Sequence, residues 1–206
     1  MKKLISLLAL SFIISLSAKA QSLVSAEIQK NSSLTINGST NILSFKIYQN
    51  GDQLSRSKLS VVTTQKQNKI FVSQNKLSVV VKNFVSNNAM ALKDFLKLLK
   101  SDTYPVLQVQ LNYLDLQPLS DKGKTYNGVA LINITITGKT RHYSIPITFV
   151  SNGDVYTING SKKLSIQDFG LTPETKMMGM IKVSEWIDID FHIICKIANE
   201  GELAEL

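Results

Sequence analysis

Asp168-Phe169-Gly170 is a triplet that holds a catalytic magnesium ion in protein kinases, and it stands here within QDFGLTPETKMMGM, residues 167–180. Kinase chemistry also needs a glycine-rich loop over the phosphates, a lysine on an early strand and a His-Arg-Asp catalytic loop. None of these is present, and 206 residues are too few for a two-lobed kinase. The densest cluster of ligating side chains is WIDIDFHI, in which Trp186, Asp188, Asp190 and His192 alternate with apolar residues and so share one face of a strand. Neighbours on such a face lie about 6.5–7 Å apart, and two carboxylates with an imidazole suit a transition metal. The wet face of a half-buried strand carries the same residue types by default, so Asp188, Asp190 and His192 are assigned to solvent and no metal site is expected. His142, beside Arg141 after a turn, is read as exposed. Cys195 is the single cysteine, which rules out an internal disulfide or a thiol pair; following an apolar stretch, it reads as a small buried hydrophobe. No Gly-x-Ser-x-Gly elbow occurs. The chain is therefore read as a non-enzyme with no cofactor of its own.

The elements that would position these residues are strands. Leu43, Phe45 and Ile47 alternate with polar residues, as do Leu107, Val109, Leu111 and Tyr113, then Ile132, Ile134 and Ile136, then Tyr143, Ile145, Ile147 and Phe149. A last and longest strand places Ile181, Val183, Ile187, Ile189, Phe191 and Ile193 on one face. Period two means one apolar and one wet face. Turn signals fall at Asn37-Gly38, Asn50-Gly51, Asp121-Lys122-Gly123, Gly138-Lys139, Asn152-Gly153-Asp154 and Asn159-Gly160. So many amphipathic strands in one small chain imply an all-β antiparallel barrel or sandwich. One stretch, NNAMALKDFLKLLKSDTYP, has apolar residues at helical spacing, with Asn87 or Asn88 as cap and Tyr104-Pro105 as stop. It predicts a single short helix near residues 88–101.

The first twenty residues, MKKLISLLALSFIISLSAKA, combine a basic start, an apolar run and an Ala-x-Ala end, the pattern of a secretory signal peptide cleaved after Ala20. This predicts a periplasmic or secreted protein with no transmembrane segment in the mature chain. A domain is expected over 21–197 and a loosely held tail over 198–206. Losing Lys2, Lys3 and Lys19 with the leader lowers the formal charge from +8 to +5. The lysines form no stripe interleaved with aromatics, so no nucleic-acid partner is indicated. A homodimer through exposed strands or the helix is an option that no heptad pattern supports.

Four stretches in order, LTINGSTNILSFKI, LKLLKSDTYPVLQVQL, YNGVALINITITGKTRHYSIPITF and LSIQDFGLTPETKMMGMIKVSEWIDIDFHI, together resemble the YceI-like family over about residues 34–194. The resemblance implies a single lipocalin-like antiparallel barrel of about eight strands that carries a long apolar lipid of isoprenoid type, such as an isoprenoid quinone or a polyprenyl lipid. On the alternation, Phe45, Val79, Val81, Val109 and Leu111 face the interior, together with Ile134, Ile136, Ile147 and Phe149 and with Ile187, Ile189 and Phe191. Phe169 is read as an aromatic plug at the barrel mouth, with Gly170 allowing the chain to turn and Asp168 accepting hydrogen bonds from loop amides. Met177 and Met178 either line the pocket with pliable thioethers or fill gaps beside the core. A barrel filled by its own side chains, acting as a ligand-free envelope or interaction module, would present the same alternation.

Overall fold

The computed structural model describes residues 21–54, 58–119, 124–173, 175–176 and 180–203. Its strands are β1 (Gln21–Ile28), β2 (Ser33–Ser39), β3 (Ser44–Asn50), β4 (Lys58–Lys66), β5 (Lys69–Ser73), β6 (Leu77–Val80), β7 (Val106–Pro118), β8 (Thr125–Ile136), β9 (Lys139–Asn152), β10 (Val155–Ser165), β11 (Thr175–Lys176), β12 (Ile181–Lys182) and β13 (Trp186–Leu203). Among the described residues two helices accompany them, the single turn α1 (Gly51–Leu54) and α2 (Ala89–Leu98). Strands β1, β4, β5, β7, β8, β9, β10 and β13 pair in that order, and β13 pairs back onto β1. Every pairing is antiparallel. The ring is closed and leaves no free edge.

Two strands are long enough to serve two partners end to end. β13 pairs with β2 over Asp188–His192 and with β1 from Cys195 to Leu203. β7 pairs with β6 over Val106–Val109 and with β5 over Tyr113–Asp115. Where one partner stops and the next starts, a buried polar side chain bridges the seam. Asn75 donates from Nδ2 to the Leu111 carbonyl and accepts from the Leu111 amide, both at 2.7 Å. The Ser32 hydroxyl accepts from the Ile194 amide at 2.9 Å and donates to its carbonyl at 3.3 Å. The wall is thus continuous in hydrogen bonding although its strands are not. β2 and β3 widen the wall at one end, and two Tyr48–Val85 backbone bonds of 2.9 Å tie β3 to the segment after β6.

α2 covers that widened end. Asn88 caps it, its side chain accepting from the Ala91 amide. Leu92, Phe95, Leu96 and Leu99, spaced as one helical face, pack on the core. The ring of Phe95 meets that of buried Phe84 edge-on, with centroids 5.2 Å apart.

Several expectations change. Asn37-Gly38 and Asn159-Gly160 are strand interiors, not turns. Gly38 is opposite Phe45 and Gly160 opposite Phe191, and in each case a Cβ would overlap the partner ring. These glycines are seats for aromatic rings on the neighbouring strand. A register shift between Leu111 and Tyr113 interrupts the β7 alternation: Leu114 and Leu116 are buried, while Tyr113 stacks with exposed Phe71. Ile181 and Val183 do not belong to the last strand, because β12 pairs with β11 and β13 starts at Trp186. β13 then runs beyond 197 to Leu203, so Ala198–Leu203 form wall against β1 rather than a tail. Residues 1–20, where the leader was read, lie outside the described residues, as do the Asp121-Lys122-Gly123 turn and the last three residues.

Candidate functional site: an apolar cavity

Inward-facing side chains pack the two halves of the barrel differently. In the lower half, Leu114, Leu116, Ala130, Ile145, Ile147 and Phe149 form a closed cluster with Tyr126 and Tyr156. The Phe149 ring lies 5.9 Å from that of Tyr126 and 5.5 Å from that of Tyr156. Above this floor the walls, widened by β2, β3 and β6 and roofed by α2, leave a cavity of about 370 Å³. That size falls within the usual range for small-molecule pockets.

The lining is almost wholly apolar. Phe45, Val79, Val109, Leu111, Ile134, Ile136, Ile187, Ile189 and Phe191 all contribute, and the structure brings them together from five strands. Other members of the expected set lie elsewhere. Val81 is fully buried in the 3-10 turn that follows β6, packed in the core and not among the cavity liners. Ile147 and Phe149 belong to the floor cluster. Met177 and Met178 lie outside the described residues. Liners that the alternation did not flag include Leu34 and Ile36 on β2, Ile158 and Lys162 on β10, and Phe95, Leu98 and Leu99 from the helix and its C-cap. Leu34 and Ile36 alternate with Thr35 and Asn37, a signal obscured by reading Asn37-Gly38 as a turn.

The cavity opens where its lining reaches solvent. Ile42 and Met90 are each 65% exposed and Leu43 45%, yet all three line it. They come from the β2–β3 loop and the first turn of α2. The loop carrying Met180 is tied to the same lip: Asn41 donates to the Met180 carbonyl at 2.9 Å and accepts from the Lys182 amide.

Asp168-Phe169-Gly170 forms the end of a 3-10 turn, Ile166–Phe169, that follows β10. Phe169 is 1% exposed and packs in the core beside Tyr143, with ring centroids 6.2 Å apart. It is an anchor beneath the rim and not a cavity liner. Gly170 takes a left-handed conformation, φ +68°, which ends the turn. Asp168 accepts from the Tyr143 hydroxyl at 3.0 Å and, among the described residues, from no loop amide. Burial, and next this bond, hold the Tyr143 hydroxyl protonated well above the ordinary tyrosine range.

Asp188 and Asp190 are exposed and His192 half-buried, on the outer face of β13. Asp190 accepts from the Asn37 amide at 2.6 Å, and His192 pairs with Asn159. His142 likewise pairs with Asn133 on the outer face. Among the described residues no three His, Cys, Asp or Glu side chains are placed to share a metal ion. Cys195 packs against the core, and burial pushes its thiol up to about 11 from 9.0. At pH 8 its thiolate fraction is therefore about a hundredfold below that of an ordinary thiol. Alkylation should be slow in the folded protein and fast in urea; equal rates would contradict the burial. Because folding raises the Cys195 pKa, its contribution to stability is complete below pH 9 and is lost as the pH rises through about 11; the raised Tyr143 hydroxyl acts in the same direction at higher pH.

The YceI-like domain model matches residues 15–195. Among solved structures, the fold is similar to that of BcnA from Burkholderia cenocepacia, with a TM-score of 0.54, 19% identity, and coverage of 79% of this chain and 95% of that one. It is also similar to a polyisoprenoid-binding domain from Saccharophagus degradans, with a TM-score of 0.56, 8% identity, and coverage of 84% and 98%. At such identities the likeness speaks for the fold, a lipocalin-like barrel. No curated protein matches the chain by sequence. No helix among the described residues is long and apolar enough to cross a membrane.

Proposed function

The chain belongs to the YceI-like family, and from that premise we propose that it is an exported lipid-binding protein whose barrel sequesters or carries one long apolar ligand. The observation that carries this reading is the cavity of about 370 Å³, apolar on its walls, closed below by the aromatic floor and open between Ile42, Leu43 and Met90. Each methylene moved from water into such a space contributes about 0.8 kcal/mol, so a chain of many carbons binds without polar specificity. An isoprenoid chain fits this description, and the similar domain from Saccharophagus degradans is a polyisoprenoid-binding one. Binding rather than catalysis also accords with the outer, solvent-facing placement of Asp188, Asp190 and His192. Export rests on the leader-like residues 1–20, with cleavage after Ala20 and a periplasmic or secreted destination.

The test is organic extraction of the gently purified protein, followed by mass spectrometry, beside a variant with the cavity filled. Val109 lines the cavity and is not tightly enclosed, so Val109→Trp should occupy the ligand's space and leave the wall intact. A lipid recovered at one per chain from the native protein should fall at least about tenfold in the variant, a change of about 1.4 kcal/mol in binding. An empty native extract, repeated after incubation with bacterial lipids, would favour a ligand-free interaction module.

A further inference from the structure

The polar groups of the cavity are unevenly placed. Thr40, Asn88, Asp94 and Ser184 belong to the loops and helix that frame the mouth, whereas Lys162 projects from the middle of a barrel strand. Along β10 the inward positions are Ile158, Gly160, Lys162 and Leu164: Ile158 and Lys162 line the cavity, Gly160 receives the Phe191 ring, and Leu164 is buried. The outward positions carry Asn159, which meets His192, and exposed Ser161 and Lys163. Two successive lysines therefore point to opposite faces. Lys163 has the solvent position ordinary for a lysine; Lys162 has the position of an apolar residue.

Its surroundings are apolar as well. In the ladder Lys162 faces Ile189, which faces Ile36, which faces Ile47. The ion pairs between described residues use Lys69, Lys82 and Lys196, and none joins Lys162 to a carboxylate. Asp94, the carboxylate among the described liners, belongs to α2 at the mouth. A half-buried lysine on an apolar wall, lacking a protein counter-ion among the described residues, is stabilised best by an anion that arrives with the ligand. Beneath it, Ile158 lies four residues along the strand, about 13 Å away, so an apolar chain has room between the ammonium and the floor.

We propose that the cavity selects anionic amphiphiles, a carboxylate or phosphate head meeting the Lys162 ammonium while the tail fills the apolar space towards Ile158, Ala130 and Leu114. This inference rests on the lipid-binding reading above and narrows it to acidic lipids over neutral ones.

Two matched pairs test it on the purified protein: palmitic acid against palmityl alcohol, and geranylgeranyl monophosphate against geranylgeraniol. Equilibrium binding should favour the acid of at least one pair by about tenfold or more, as a charge-assisted hydrogen bond would. A preference confined to the first pair assigns a fatty acid, and one in the second a prenyl phosphate. Lys162→Met, which keeps the stem's bulk, should bring the acid-to-alcohol ratio to about one, and Lys162→Arg should retain it. If the native protein binds acid and alcohol alike, or Lys162→Met keeps the preference, the head-group assignment falls while the apolar reading stands. If neither member of either pair binds, both fall together.

Discussion

Phe169→Ala should destabilise the protein by about 3–5 kcal/mol, the range for removing a phenylalanine from a packed core. Phe169 is 1% exposed and holds the 3-10 turn after β10 against the rim through its contact with Tyr143. For a domain of this size the melting midpoint should fall on the order of 10 °C, readable by circular dichroism. Asp168→Asn provides the contrast. Asp168 is exposed, and an amide oxygen still accepts from the Tyr143 hydroxyl, so the loss should stay below about 1 kcal/mol. This ordering, aromatic far above carboxylate, is what a packing anchor requires. A Phe169→Ala protein that melts within a degree or two of the native one would remove the anchor role.

The triplet also marks how far the sequence was readable. Its chemistry could be dismissed from what was missing around it, whereas its aromatic, expected as a plug at the barrel mouth, packs in the core and does not line the cavity. Where it packs depends on Tyr143, twenty-six residues away, and no local pattern shows that. Strands β3, β8 and β9 were legible because one face is apolar and the other wet. β7 was legible only up to Leu111, since a register shift reverses the faces without any change in residue type. The Asn-Gly pairs misled because that dipeptide is a strong hairpin signal. At Gly38 and Gly160 the missing side chain accommodates an aromatic ring from the adjacent strand, which is a tertiary reason. Val79 and Val81 show the same limit on a smaller scale: both fit an alternation, but the chain leaves the strand between them and only Val79 reaches the cavity.

Lys162 is the sharpest case. Lys162 and Lys163 read as an unremarkable polar pair until the ladder fixes which of them faces inward, and that is decided by Leu164 and Ile158 being apolar on the same face. The general shape of the site, an apolar interior, was therefore accessible from composition and alternation. Its one inward lysine among the described residues was not, because a single polar residue at an apolar position breaks the pattern that identifies the face.

Asn75→Ala should be nearly as damaging as loss of the phenylalanine, by a different route. Asn75 is 7% exposed and occupies the seam between β5 and β6, where its amide exchanges two 2.7 Å hydrogen bonds with the backbone of Leu111. Alanine leaves an amide and a carbonyl without partners, at about 1–3 kcal/mol each and so roughly 2–6 kcal/mol together. Asn75→Asp separates the two halves: a carboxylate still accepts from the Leu111 amide but cannot donate to the carbonyl, and its charge faces that oxygen. The local readout is hydrogen exchange at Leu111. Its amide should be protected in the native protein, should stay protected in the Asn75→Asp variant at a lower global stability, and should exchange freely once alanine is present. Because Leu111 lines the cavity above the floor, a loosened seam should also speed the release of a bound lipid. Unchanged exchange at Leu111 in Asn75→Ala would mean that the wall closes across the seam without the side chain.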